Sequence, residues 1–269
     1  MKTLLTIAGY DPSSGAVITA DLLTFAAHGH FGTSAITSLT VQSTKGVLSS
    51  HPVSASTLSA TLDCLEDDLP PAGIKLGMLA TAELVHAVAD YLEGVRQVRP
   101  DVQIVLDPVL RSTSGRELLS VEGLSLLDSR LLPLVDWVTP NLAELSLLAD
   151  QPVMSRSEME SAAHSLQSRL PRLGVLATGG HIDPPDDLLL LAGSDSIQWI
   201  TGQRIESTST HGTGCALSSA LLSQLAHGTP PVEAARAAKE YVAQAIRSAT
   251  PLGHGHGPLN HLWPLYKSG

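Results

Sequence analysis

The chain has 269 residues, enough to bury a sizeable core, and no Pro/Gly/Ser linker or charge block divides it, so a single domain over residues 1–269 is expected. Sixteen Lys plus Arg against 26 Asp plus Glu leave a formal charge of −10, which argues against nucleic acid and anionic membranes as partners. A bound phosphate must then be held by local features such as backbone amides, a metal ion or a few placed basic residues. The first apolar run is too short for a signal peptide, and Leu188 to Ala192 is far too short to span a bilayer, so a cytoplasmic protein is expected. Cys64 and Cys215 lie far apart and form neither a disulfide framework nor a metal signature.

Thr3 to Ala8 reads as a buried strand ending at Gly9, and the turn-rich stretch Gly9 to Gly15 leads into a helix over Val17 to Ala27. Gly32 to Thr40 reads as a second strand with Gln42 at its end. Ser54 to Leu69 is helical, its Leu58, Leu62, Leu65 and Leu69 forming a stripe from which Cys64 departs, and Ile74 to Leu76 is a short buried strand before Gly77-Met78. Thr81 to Val95 is a helix with one apolar face, and Val102 to Leu106 a strand closed by Asp107-Pro108.

Leu124 to Leu132 is helical, Trp137-Val138 a short strand, and Pro140-Asn141 the opening of another helix. Ser157 and Glu160 have capping-box spacing ahead of a helix through Leu170. Val175 to Thr178 is a strand stopped by Gly179-Gly180-His181; Leu188 to Ala192 and Ile197 to Thr201 then form an antiparallel hairpin at the sheet edge. Helices over Thr213 to Ala226 and Val232 to Ala249 finish the chain. This alternation predicts an α/β fold, a mostly parallel sheet with helices on both faces and a ligand site at the carboxyl ends of the strands.

The most informative stretch is Thr210-His211-Gly212-Thr213-Gly214-Cys215 running into an apolar helix. Glycines at 212 and 214 can take backbone angles closed to other residues, and a helix N-terminus stripped of side chains presents free amides and a positive dipole end to an anion. A tight turn before an ordinary amphipathic helix is the competing account. The segment is neither a Rossmann fingerprint, since Leu217 stands where the third glycine belongs, nor a Walker A loop, since no Gly-Lys pair occurs. Cys215, in the first helical turn, is expected to have a lowered thiol pKa.

Two accounts of Asn141-x-x-Glu144 stay open: a helix cap, or a carboxylate that reaches Mg²⁺ through water, with Asp107 as a second acidic contributor. Gly179-Gly180 after a strand allows close backbone approach but also fits a plain turn. His254, His256 and His261 fall in and after a glycine-rich terminal loop, a setting that argues against a metal tract.

Gly9 to Asp21, Thr37 to Val47, Lys75 to Ala80, Leu106 to Val109, Val138 to Glu144, Gly179 to His181, His211 to Ser218 and Gly255 to Leu259 together resemble the hydroxymethylpyrimidine/phosphomethylpyrimidine kinases of thiamine biosynthesis, within the ribokinase-like superfamily. The resemblance spans nearly the whole chain and implies a three-layer α/β/α sandwich. It implies phosphorylation of 4-amino-5-hydroxymethyl-2-methylpyrimidine and then of its monophosphate, with ATP as co-substrate and Mg²⁺ as cofactor. By position it places Gly9, Gln42, Met78 and Val109 around the pyrimidine and Asn141, Thr178, Gly180 and Thr213 at the nucleotide. Glu144 and Asp107 fall at the metal, Gly212 and Gly214 at the anion hole, and Cys215 where much of the superfamily has an Asp base. A homodimer is expected.

Three departures stand out. Ser14-Gly15-Ala16-Val17 replaces the family's Gly-Gly-Ala-Gly, Tyr10 replaces Ser or Asn, and Thr178 replaces a Lys before Gly-Gly-His, with Arg111 and Arg116 as candidate substitutes for that cation. A pyridoxine or pyridoxal kinase, a catalytically silent pyrimidine-binding protein and, more remotely, a dinucleotide oxidoreductase remain the alternatives.

Overall fold

The computed structural model describes residues 1–110, 117–180 and 182–266; Arg111, Arg116 and His181 lie outside them. Nine strands form one sheet: β1 (Thr3–Tyr10), β2 (Phe31–Ser43), β3 (Gly46–Pro52), β4 (Gly73–Leu76), β5 (Gln103–Leu106), β6 (Trp137–Val138), β7 (Gly174–Ala177), β8 (Asp187–Leu190) and β9 (Ile197–Ile200). Their order is β3-β2-β1-β4-β5-β6-β7-β8-β9. The strands from β2 through β7 pair in parallel, while β3, β8 and β9 add antiparallel edges.

The helices are α1 (Val17–Ala27), α2 (Ala55–Asp68), α3 (Ala82–Val98), α4 (Val121–Leu126), α5 (Leu142–Ala149), α6 (Arg156–Arg169), α7 (Thr213–His227) and α8 (Pro231–Arg247). Central strands are buried on both faces, so successive residues feed two cores. Along β5, Ile104 and Leu106 join the core shared with α2, α3, α5 and α6, whereas Val105 joins the one shared with α7 and α8. The expected three-layer α/β/α sandwich follows.

Several expectations need correction. The chain pairs β3 against β2, a strand absent from the sequence reading because Gly46–Pro52 is polar, without alternation and nowhere fully buried. The segment read as one helix over Leu124 to Leu132 is instead α4, a π turn at Leu127–Leu131 and a 3₁₀ turn at Leu132–Leu134. α6 is capped by Ser155, which accepts from the Glu158 amide, not by Ser157 with Glu160. Both pairs have the right spacing; Glu160 is taken by the Trp199 indole N–H, which donates to it at 3.0 Å.

The sheet has a switch point beside β1, whose parallel neighbours are β2 on one side and β4 on the other. A crevice opens there beyond the strand ends. Tyr10 closes β1 at that end, and Gly77-Met78 follows β4.

Candidate active site

The site is organised by the N-terminus of α7. Its N-cap is Gly212, at φ +85°, with no capping side chain. This left-handed angle favours glycine, and a Cβ here would meet the Gly15 carbonyl oxygen at 2.0 Å. The amides of Thr213, Gly214 and Cys215 have no intrahelical acceptor, as at any helix start, so the loop offers bare donors. Gly214 differs from expectation. It lies within the helix at an ordinary angle, and a Cβ there would make only an ordinary contact with the buried Asp107 carboxylate, 3.7 Å from Oδ1.

Below the loop lies a buried polar cluster that periodicity did not disclose. Lys75 is fully buried, its Nζ 3.0 Å from Asp21 Oδ2 and 3.7 Å from Asp107 Oδ2. Asp21 also accepts from Thr6 Oγ1 at 2.6 Å and from Ser219 Oγ at 2.8 Å. Burial opposes the ammonium charge, but Asp21, Cys215 and Asp107 together outweigh it and hold the Lys75 pKa above its ordinary value. Ser218 Oγ donates to Asp107 at 3.4 Å, and Cys215 hydrogen-bonds the same carboxylate. Burial, against the opposing charge of Lys75, raises the Asp107 pKa.

Cys215 is where the expected electrostatics fail. Its Sγ accepts from the Val17 amide at 3.4 Å, and it is buried. Burial pushes the thiol well above its ordinary value, with the Asp107 and Asp21 charges adding to the rise against Lys75. The expected lowering at a helix N-terminus is overturned because desolvation in this pocket outweighs the dipole.

The pyrimidine-side candidates converge here. Met78, Val17 and Cys215 share one small apolar cluster on which Val109 packs, and Gly9 lies so close that a Cβ would meet Met78 Sδ at 2.9 Å. Gln42 reaches the site through His211, with its Nε2 3.0 Å from His211 Nε2, which is also 2.9 Å from Asp11 Oδ2. Asp11 is fully buried and also collects the Ser13, Gly15 and Ala16 amides. Burial works against its charge, yet bonds from His211 and Ser13 hold its pKa below the ordinary value.

Of the candidates for nucleotide and metal, Asn141 and Glu144 form a full capping box: Glu144 N donates to Asn141 Oδ1 at 3.0 Å and Asn141 N to Glu144 Oε2 at 2.9 Å. Burial, then the Asp107 charge, pushes the Glu144 pKa up to about 8. Two buried carboxylates close enough for the charge of Asp107 to act on Glu144 would be relieved by a cation shared with a triphosphate. Because Mg²⁺ keeps several waters and shares its shell with phosphates, two carboxylates without a closed protein cage suit it. Thr178 lies beside Asn141 in a parallel bridge and donates its amide to the Pro140 carbonyl at 2.9 Å. Arg204 brings a guanidinium to the adjoining turn, donating to the carbonyls of Gly180 at 3.2 Å and Ile182 at 3.0 Å.

The glycine-rich segment near the C-terminus braces these loops. His211 N donates to the Gly257 carbonyl at 3.1 Å, and a Cβ on Gly255 would meet the Thr44 carbonyl oxygen at 2.0 Å. His256 pairs with Thr210, and His261 is buried against Thr24. Cys64 is exposed on α2, away from these groups. Sequence reasoning passed over Asp11, Asp21, Lys75 and His211. Lys75 carried the clearest signal, a charge inside a strand otherwise apolar.

The chain is similar to known kinases over nearly its whole length. The family model for phosphomethylpyrimidine kinase matches residues 11–260. A hydroxymethylpyrimidine/phosphomethylpyrimidine kinase of Haemophilus influenzae is 39% identical over 266 residues, covering 97% of each chain. A phosphomethylpyrimidine kinase structure from Clostridium difficile, 32% identical, superposes with a TM-score of 0.78 over 91% of this chain and 100% of that one. An ADP complex of Bacillus subtilis pyridoxal kinase, 29% identical, superposes at 0.85 over 97% of both chains. The chain is therefore an ATP-using kinase with the ribokinase-like fold, and it belongs to the phosphomethylpyrimidine kinase family.

Proposed function

We infer that the protein transfers the γ-phosphoryl group of ATP to the hydroxymethyl oxygen of 4-amino-5-hydroxymethyl-2-methylpyrimidine and then phosphorylates the resulting monophosphate, a route to the diphosphate used in thiamine biosynthesis. The observation that carries this reading is the bare α7 N-terminus abutting the apolar pocket of Gly9, Met78, Val109 and Cys215. The free amides of Thr213, Gly214 and Cys215 suit the charge that develops on a transferring phosphoryl group. Asn141, Thr178 and Gly180 line the nucleotide side.

Glu144 would hold Mg²⁺ through water, with Asp107 contributing charge from beneath the loop, and the ion would supply charge neutralisation to the triphosphate. Cys215, neutral in the resting site, relays the proton. The substrate hydroxyl proton passes to Sγ while the thiol proton passes to the Asp107 carboxylate, whose raised pKa suits it to accept. Arg204 supplies a cation near the turn where Thr178 replaces the family's Lys.

A homodimer in the cytoplasm is part of the proposal. Exposed Leu39, Val41 and Leu48 on the β2–β3 hairpin are the apolar surface a second copy would cover, and light scattering after size exclusion tests it. No helix among the described residues is long and apolar enough to cross a membrane.

The deciding experiment supplies purified protein with MgATP and either the pyrimidine or pyridoxal, then separates mono- from diphosphate. Faster turnover of pyridoxal would assign the activity of the Bacillus subtilis neighbour instead. Tight pyrimidine binding without turnover would leave a binding protein.

A further inference from the structure

His211 and Thr40 touch both ends of the Gln42 side-chain amide, and together they leave it only one satisfied orientation. Asp11 is fully buried and negatively charged, with His211 Nε2 2.9 Å from its Oδ2. An unprotonated ring nitrogen there would set one lone pair against another, so Nε2 carries its proton and donates to Asp11. The Gln42 atom 3.0 Å from that same Nε2 then cannot be the NH₂ group, because donor would face donor. Thr40 leads to the same conclusion independently. Its Oγ1 has one hydrogen, given to the Tyr10 carbonyl at 2.9 Å, so toward the Gln42 atom 3.2 Å away it can only accept. The amide is therefore turned over from the placement that sets its nitrogen toward His211: its NH₂ donates to Thr40, and its carbonyl oxygen shares the His211 Nε2 hydrogen with Asp11.

We propose that His211, anchored on Asp11, and Thr40 are positioning residues that hold the Gln42 amide in this one orientation and thereby set its preference for an aminopyrimidine edge. The inference rests on the substrate proposed above. An amide free to turn over presents acceptor and donor in either order, so it serves equally a ring edge with an exocyclic amino group beside an unprotonated nitrogen and one with an exocyclic oxygen beside an N–H. A held amide serves one order and opposes the other. Discrimination between 4-amino and 4-oxo rings thus depends on residues that need not touch the ring. His211 also ties this preference to the anion loop: its Cδ2 lies 2.3 Å from where a Gly15 Cβ would sit, and Gly212 follows it in the chain.

The test compares kcat/KM for the 4-amino substrate and for its 4-oxo analogue in the parent, Thr40→Val, His211→Phe and His211→Gln, alongside ATP KM and melting temperature. Thr40→Val and His211→Phe are expected to shrink the 4-amino preference about tenfold, the worth of one or two hydrogen bonds. His211→Gln keeps a donor to Asp11 and should retain most of it. Gln42→Leu should raise KM for the pyrimidine while leaving ATP KM in place. If Thr40→Val folds, keeps its ATP KM and discriminates like the parent, the inference is overturned while the kinase reading stands. If the parent phosphorylates neither pyrimidine, both fall.

Discussion

The amide of Val17 donates to the sulfur of Cys215 at 3.4 Å, a contact between residues 198 positions apart. It joins the two loops that define the candidate site, because Val17 begins α1 beside Met78 and Cys215 lies in the first turn of α7. With the Gly15 carbonyl beside Gly212, it makes one packed unit of loops that the sequence places at opposite ends of the chain.

That contact and the burial around it determine the chemistry of Cys215. A thiol pushed above its ordinary pKa is a poor nucleophile at neutral pH, so iodoacetamide at pH 7.5 should label exposed Cys64 well before Cys215, as read by peptide mass spectrometry. Cys215→Ala keeps the loop amides but breaks the relay; turnover of the hydroxymethyl substrate should fall roughly 10²-fold with ATP binding nearly intact. Parent-like turnover would remove Cys215 from the reaction. The second phosphorylation should suffer less, because a phosphate monoester is already largely ionised.

Glu144 predicts a pH dependence of stability. Its folded-state pKa, about 8, lies above the ordinary carboxylic value of 4.5, so the folded state holds the proton more tightly than the unfolded chain. The resulting stabilisation is fully present below about pH 4.5 and is lost as pH rises toward 8. Glu144→Gln, uncharged and still able to accept from the Asn141 amide, should escape that loss. In EDTA it should gain about 1 kcal/mol or more on the parent between pH 5 and pH 8 in denaturant melts. Its kinase rate should demand more Mg²⁺; unchanged kinetics with a lower melting temperature would leave only the helix cap.

Ser14 and Val17 stand at φ 58° and 48°, in left-handed backbone. These are two of the positions where the family carries glycine. Ser14 is exposed, so Ser14→Gly relieves strain without emptying the core. After the added entropy of the unfolded chain, a net gain of about 0.5–1 kcal/mol is expected, a rise in Tm of about 1–3 °C by calorimetry. Val17→Gly should gain less, since Val17 packs with Met78 and Cys215.

Arg204→Gln should raise the KM for ATP about three- to fivefold, as for an exposed charge, and leave the pyrimidine KM alone. Adding Thr178→Lys to that variant should recover most of the loss, because it restores the cation the family carries before the glycine pair. An unchanged ATP KM in Arg204→Gln would make the side chain a brace for the turn at Gly180 and nothing more.

Much of what was legible along the chain was local: the turn-rich stretch before it placed α1, periodicity placed α3 within a few residues, apolar runs marked the central strands, and the bare Gly212–Cys215 turn marked a candidate anion site. Polar β3 escaped because its pairing with β2, not its own pattern, makes it a strand. Helix α6 begins at Arg156, so Ser155 caps it through the Glu158 amide, while Glu160 is held by Trp199 of β9, a partner 39 residues away in the chain. The tertiary structure alone decided the electrostatics. The pKa of Cys215 depends on burial and on Asp107, Asp21 and Lys75, and the order in which Gln42 presents donor and acceptor depends on His211, Asp11 and Thr40. Propensity and hydrophobic period act over a few residues along the chain, whereas desolvation and Coulomb forces act across space among groups that only the folded sheet brings together.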